Sequence, residues 1–106
     1  MIWVKFQTRN DAFVTLDVSG HADFREEGQD IVCAAVSLSS VGLLNAIDEM
    51  EPDSCELIKE DNHIRVEVLQ DSEKLQTILT AFYHVYKTLE YRFRMYVRVR
   101  KTEVKS

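Results

Sequence analysis

His21 and Cys33 stand at the two ends of a run of eleven mostly polar residues in GHADFREEGQDIVCAAVS, residues 20–37. Together they have the makings of a thiol nucleophile and its base. An imidazole can take the proton of a thiol and return it to a leaving group, while the sulfur attacks a carbonyl. The cysteine also falls where a helix begins. Gly28-Gln29-Asp30-Ile31-Val32-Cys33 reads as a loop entering a helix, with Asp30 as N-cap and Cys33 as the third helical residue. In that first turn the unsatisfied backbone donors and the macrodipole favour negative charge, so they favour a thiolate and can receive an oxyanion. Asp30, itself an anion, works against the first effect. Ser37 and Ser40 follow Cys33 at four and seven residues, a polar stripe on an otherwise apolar helix, and Ala34 and Ala35 leave room for close approach by a loop or substrate. A lone cysteine in a first turn is more often packed than catalytic. The spacing by itself leaves both readings open.

The elements that must position this pair follow from periodicity. Ile2, Val4 and Phe6 alternate with Trp3, Lys5 and Gln7, and after Arg9-Asn10-Asp11 a second alternation runs through Phe13, Thr15, Asp17 and Ser19, which predicts a hairpin. From Ile31 to Met50 the residues Val32, Val36, Leu43, Ile47 and Met50 recur at helical spacing, with Ala34, Ala35 and Leu38 beside them, and Pro52 ends the helix. Cys55 to Glu60 and His63 to Leu69 are predicted strands around an Asp61-Asn62 turn. Asp71 or Ser72 caps a second helix whose stripe is Leu75, Ile78, Leu79, Phe82, Val85, Tyr86 and Leu89. Phe93, Met95, Val97 and Val99 alternate with arginines in a last strand. The predicted fold is α+β, ββαββαβ, a mainly antiparallel sheet with two helices packed on one face.

A chain of 106 residues has room for one domain, here residues 1–106. No apolar run nears the ~18 residues of a membrane span, and the N-terminal residues lack the features of a signal peptide, so the expected setting is cytoplasmic and away from membranes. Cys33 and Cys55 are not expected to pair there. His21, His63 and His84 are scattered and match no ligand spacing, and neither glycine-rich phosphate motif occurs. We therefore expect no metal and no cofactor, with His63, His84 and Cys55 structural. The net charge of −5 is uneven: residues 91–106 hold six basic side chains and one acid, against 7 basic and 17 acidic before them. Such a basic end is either neutralised across the sheet or forms a small nucleic-acid patch.

The loop itself closely resembles the signature of the ribosomal-processing cysteine proteases, the Prp family. In that family Gly-His-Ala ends the second strand and Gly-x-Asp-Ile-Val-Cys-Ala opens the first helix. Here these are Gly20-His21-Ala22 and Gly28-Gln29-Asp30-Ile31-Val32-Cys33-Ala34, followed by Ala35-Val36-Ser37 and Asn45. The resemblance implies a cysteine endopeptidase that removes the N-terminal extension of a large-subunit ribosomal protein, the twenty-seventh in the usual count, during ribosome assembly. It makes Cys33 the nucleophile and His21 the base. Asp30 matches the family's motif acid and would orient the histidine, hold the loop or cap the helix. Gly20, Ala22, Gly28 and Ser37 become candidates for loop and substrate contact. The resemblance also implies a homodimer and a mobile loop over residues 22–29; Asp23, Glu26, Glu27 and Asp30 make this region acidic, and they either suit a lysine-bearing substrate or are merely solvated. The competing reading is a non-catalytic ribosome-associated module that binds ribosomal protein or RNA through the basic last strand, with Cys33 packed.

Overall fold

In this computed structural model, residues 1–20 and 29–105 are described. The first hairpin joins β1 (Ile2–Arg9) to β2 (Ala12–Gly20) through Asn10 and Asp11, whose φ values of 51° and 66° both lie in the left-handed region. That geometry matches the twist of the two strands, and asparagine and aspartate tolerate it best after glycine. The expected alternation in β2 is interrupted. Gln7 opposes Thr15 and Thr8 opposes Phe13, which leaves Val14 as an unpaired bulge. One extra residue flips the pattern, so Phe13 shares the buried face with Leu16 and Val18 rather than with Thr15, Asp17 and Ser19.

The first helix, α1 (Gln29–Met50), buries Val32, Val36, Leu43 and Ile47 as its spacing predicts. Leu38 does not join them; with Ile31 and Met50 it is exposed. The stretch Ile31–Met50 is in fact long and apolar enough to cross a membrane by length and composition. Serines and Asn45 interrupt its apolar run, which is why a search for uninterrupted apolar residues passes over it. Its inner stripe belongs to the hydrophobic core. After Pro52 and the left-handed Asp53, a second hairpin pairs β3 (Cys55–Glu60) with β4 (His63–Val68), and Asn62 supplies a φ of 62° at the turn.

The second helix is α2 (Glu73–Arg92). Of the two candidate caps, Ser72 serves: its hydroxyl accepts the Leu75 amide at 3.0 Å, while Asp71 accepts the amide of Ser72 at 2.8 Å. Leu75, Ile78, Leu79 and Tyr86 are buried, and Val85 is exposed against expectation. The last strand, β5 (Val97–Glu103), starts later than its alternation suggests. The Phe93 amide bonds to Leu89 and the Tyr96 and Val97 amides to Phe93, so residues 93–96 form a turn closing the helix. Arg92 thus belongs to α2 and Arg94 to the turn, and only Arg98 and Arg100 share a strand face.

The strands form one sheet in the order β3-β4-β2-β1-β5, with three antiparallel pairings and one parallel pairing, β1 with β5. The paired positions Val66, Leu16 and Phe6, and Ile64, Val18, Val4 and Val99, lie on one face of the sheet, where the core residues of both helices meet them. The fold class is therefore as predicted.

Two polar arrangements hold the frame. Ser40, buried in α1, shares a 2.8 Å hydrogen bond with the Tyr86 hydroxyl of α2, and burial pushes that phenol up to about 12. Tyr86→Phe would strand the serine hydroxyl, so a loss of about 1–2 kcal/mol is expected in urea unfolding, partly recovered in the Ser40→Ala/Tyr86→Phe double variant. At the open edge of β5, Glu90 Oε2 accepts the Val99 amide at 2.7 Å and Oε1 accepts Lys87 at 2.9 Å. Glu103 accepts bonds from the Thr8 hydroxyl and the Asn10 amide. For Glu90, desolvation pulls upward, but the Val99 and Lys87 hydrogen bonds and the charges of Lys87 and Arg98 outweigh it and hold the carboxyl below its usual 4.5. The hydrogen bond from Thr8, then that from Asn10, lowers Glu103. Depressed folded values stabilise the fold above pH 4.5 and cease to do so as pH falls through them. The Glu90→Gln/Glu103→Gln variant should therefore lose stability less steeply with acidification below pH 4.5 than the parent, as read by urea midpoints across a pH series.

Candidate active site

Cys33 opens onto a cavity of about 320 Å³ between the N-terminal half of α1 and one end of the sheet. Val36, Ser37, Ser40 and Val41 line it from the same helix, at the three- and four-residue spacing that puts side chains on one face. Its apolar walls are completed by Ile2, Val18 and Ile64. The rim is polar, built from Lys59, Glu60, Asp61, Asn62 and His63 at the β3–β4 turn.

Helix α1 starts at Gln29, one residue before the predicted cap. Asp30 consequently lies within the first turn rather than at the N-cap, and Cys33 is the fifth helical residue rather than the third. Helical side chains tilt toward the N-terminus, which carries the thiol back over the turn whose amides lack helical partners. Cys33 is partly exposed and packs against the core. Ser37 is exposed beside it, but Ser40 is buried against Tyr86, so the polar stripe is shorter at the surface than its spacing suggests.

Gly20 ends β2 at the cavity wall with a φ of 91°, and a β-carbon there would lie 2.3 Å from the carbonyl oxygen of Met1. Its amide donates to Asn62 at 3.2 Å, fastening the β3–β4 turn to the strand end from which the chain continues into His21. The structure thus brings together Gly20, Cys33 and Ser37. His21, Ala22, Gly28 and the side chain of Asp30 lie outside the described residues, as do Asp23, Glu26 and Glu27.

Sequence reasoning missed the β3–β4 turn as part of the site. Its one signal, the Asp61-Asn62 turn, locates a hairpin but not what the hairpin abuts. His63, read as structural, stands on the rim with Nε2 3.0 Å from Asp17, whose other oxygen accepts Arg65 at 2.6 Å. Cys55 has a different environment from Cys33: burial pushes its thiol up, a hydrogen bond from Ser54 offsets this in part, and Asp71 adds to the rise. Both cysteines are free. Only Cys33 has a helix start and a cavity in front of it, an arrangement suited to thiolate attack on a peptide carbonyl.

Comparison with known proteins agrees with that chemistry. The family described as cysteine protease Prp matches residues 1–98. A ribosomal processing cysteine protease Prp from Staphylococcus aureus (strain Mu50) is 32% identical over 104 residues, covering 93% of this chain and 97% of its own. The crystal structure of the S. aureus processing protease Prp with a covalently linked product peptide superposes with a TM-score of 0.85 at 26% identity, covering 95% of this chain and 99% of that one. The same enzyme with a substrate peptide gives a TM-score of 0.86 at 25% identity, with the same coverage. Matched in sequence and fold along nearly all its length, and carrying a thiol at the mouth of a cavity, the chain belongs to the Prp family of ribosomal-processing cysteine proteases.

Proposed function

We propose that this protease removes the N-terminal extension of the large-subunit ribosomal protein numbered twenty-seven, with Cys33 as nucleophile and His21 as general base. The observation that carries the reading is Cys33 near the start of α1, facing the cavity at the end of β2 from which the chain runs on to His21. In this mechanism His21 takes the Cys33 proton and the sulfur attacks the scissile carbonyl. The oxyanion is met by amides of the first turn of α1. Collapse breaks the C–N bond, the amine leaves with the proton from His21, and a thioester remains on Cys33. His21 then takes a proton from water, and the hydroxide formed releases the extension as a carboxylate and regenerates the thiol. Asp30 lies within that first turn, where a negative charge is favoured by the helix dipole. Glu60 and Asp61 on the rim complement a basic ribosomal-protein tail. The enzyme works in the cytoplasm as a homodimer, and exposed Ile31 and Leu38 on α1 are apolar surface that a second copy would cover.

The test is single-turnover cleavage, followed by mass spectrometry, of a synthetic peptide spanning the extension and mature start of that ribosomal protein. Cleavage at one bond by the parent, lost in His21→Ala, is the expected result. Cleavage at the parent rate by folded His21→Ala would remove the histidine from the mechanism, and an uncut peptide with a folded parent enzyme would overturn the substrate assignment.

A further inference from the structure

We propose that the β5 edge carries a binding site for single-stranded RNA, separate from the protease cavity. Lys87, Glu90 and Tyr91 from the end of α2, Arg94 from the following turn, and Arg98 and Arg100 from β5 line a cleft of about 570 Å³. Four cations meet one carboxylate there, a net +3 in a chain whose total is −5. The carboxylate is already engaged: Glu90 accepts the Val99 amide and Lys87.

The expected alternative was neutralisation of these arginines across the sheet, and the register does not provide it. The parallel pairing sets Arg98 beside Trp3 and Arg100 beside Lys5. Among the described residues, Arg94, Arg98 and Arg100 form no ion pair, whereas Arg65 on the same outer face is bonded to Asp17. A cluster of four cations around a single carboxylate keeps an excess of positive charge and gains when a polyanion arrives, because each neutralised phosphate releases its counterions.

Aromatic rings indicate which polyanion. Tyr91 lines the cleft and is 77% exposed, so its ring is accessible to a base. Outside the cleft, Trp3 adjoins it through Arg100, which lies 5.5 Å over the indole ring, with Lys5 at 5.8 Å. Cations for phosphates interleaved with rings for bases are the elements of single-strand recognition, whereas an acidic peptide would use the arginines and leave the rings idle. RNA is the strand chosen because the family acts in ribosomal processing. The cleft shares no lining residue with the Cys33 cavity, so RNA can be held while peptide is cut.

The test uses fluorescence anisotropy of a labelled oligouridine of about twelve nucleotides with the full chain, across a salt series. Binding should weaken with salt, with a log–log slope of about −2 to −3. Arg94→Ala/Arg98→Ala should make that slope shallower by roughly 1.4, and Tyr91→Ala should weaken binding about ten-fold with the slope unchanged. Both variants should cleave peptide substrate at the parent rate, which separates this site from the protease reading. No binding by the folded parent, binding unaltered by both changes, or displacement of the RNA by an equal charge of polyglutamate at lower concentration would overturn the proposal.

Discussion

Replacing Cys33 by alanine should lower peptide cleavage by a factor on the order of 10⁴ or more while leaving the fold intact. The two halves of that expectation have separate causes. On the proposed mechanism, loss of the sulfur removes the only thiol among the described residues that line the cavity, and no described neighbour can take over: Ser37 is one helical turn away, and Cys55, whose thiol burial pushes up, does not line the cavity. Stability, by contrast, loses little, because the side chain is only partly buried and alanine is the best helix former. Single-turnover kinetics beside a urea melt would measure both. A Cys33→Ala protein that still cleaves within ten-fold of the parent would place the nucleophile elsewhere.

Gly20→Ala should combine a stability loss of about 2–3 kcal/mol with roughly a hundred-fold fall in kcat/KM, even though glycine offers no reactive group. The φ of 91° is unfavourable for any L side chain, and the added β-carbon would meet the Met1 carbonyl at 2.3 Å, which is backbone and cannot rotate aside. Relief requires the end of β2 to move. That end also holds Asn62 and precedes His21 in the chain, so the β3–β4 rim and the chain leading to the proposed base are both disturbed. Unfolding midpoints and kinetics of Gly20→Ala and Ser19→Ala, the latter changing a neighbour without a positive φ, would separate this effect from general damage to β2. Equal behaviour of the two variants would contradict it.

Much of this arrangement is legible in the residues, and the illegible parts have definite physical reasons. Alternation and helical spacing report which face each segment buries, hence the ββαββαβ order and the inner stripe of α1. They cannot report an extra residue such as Val14, whose bulge reverses the pattern without changing composition. Nor do they distinguish a strand from a turn that continues its rhythm: Phe93 and Met95 alternate with arginines, yet backbone bonds to Leu89 and Phe93 close the helix there. The thiol, its serine neighbour and the glycine were readable because all three follow from local chain geometry. The Lys59–His63 rim was not, since it reaches the site only through the pairing of β4 with β2 across some forty-five residues of chain.

The parallel union of β1 and β5 bears on how the enzyme comes into being. Ile2 is paired with Val97, and its amide bonds to Tyr96 at 2.7 Å, so the first strand waits for the last before its pairing is complete. Closing so long a loop is the slow kind of folding step, late on the pathway of a chain made from its N-terminus. Ile2 is also a wall of the cavity. The cavity in front of the thiol is therefore complete only once β5 has paired with β1.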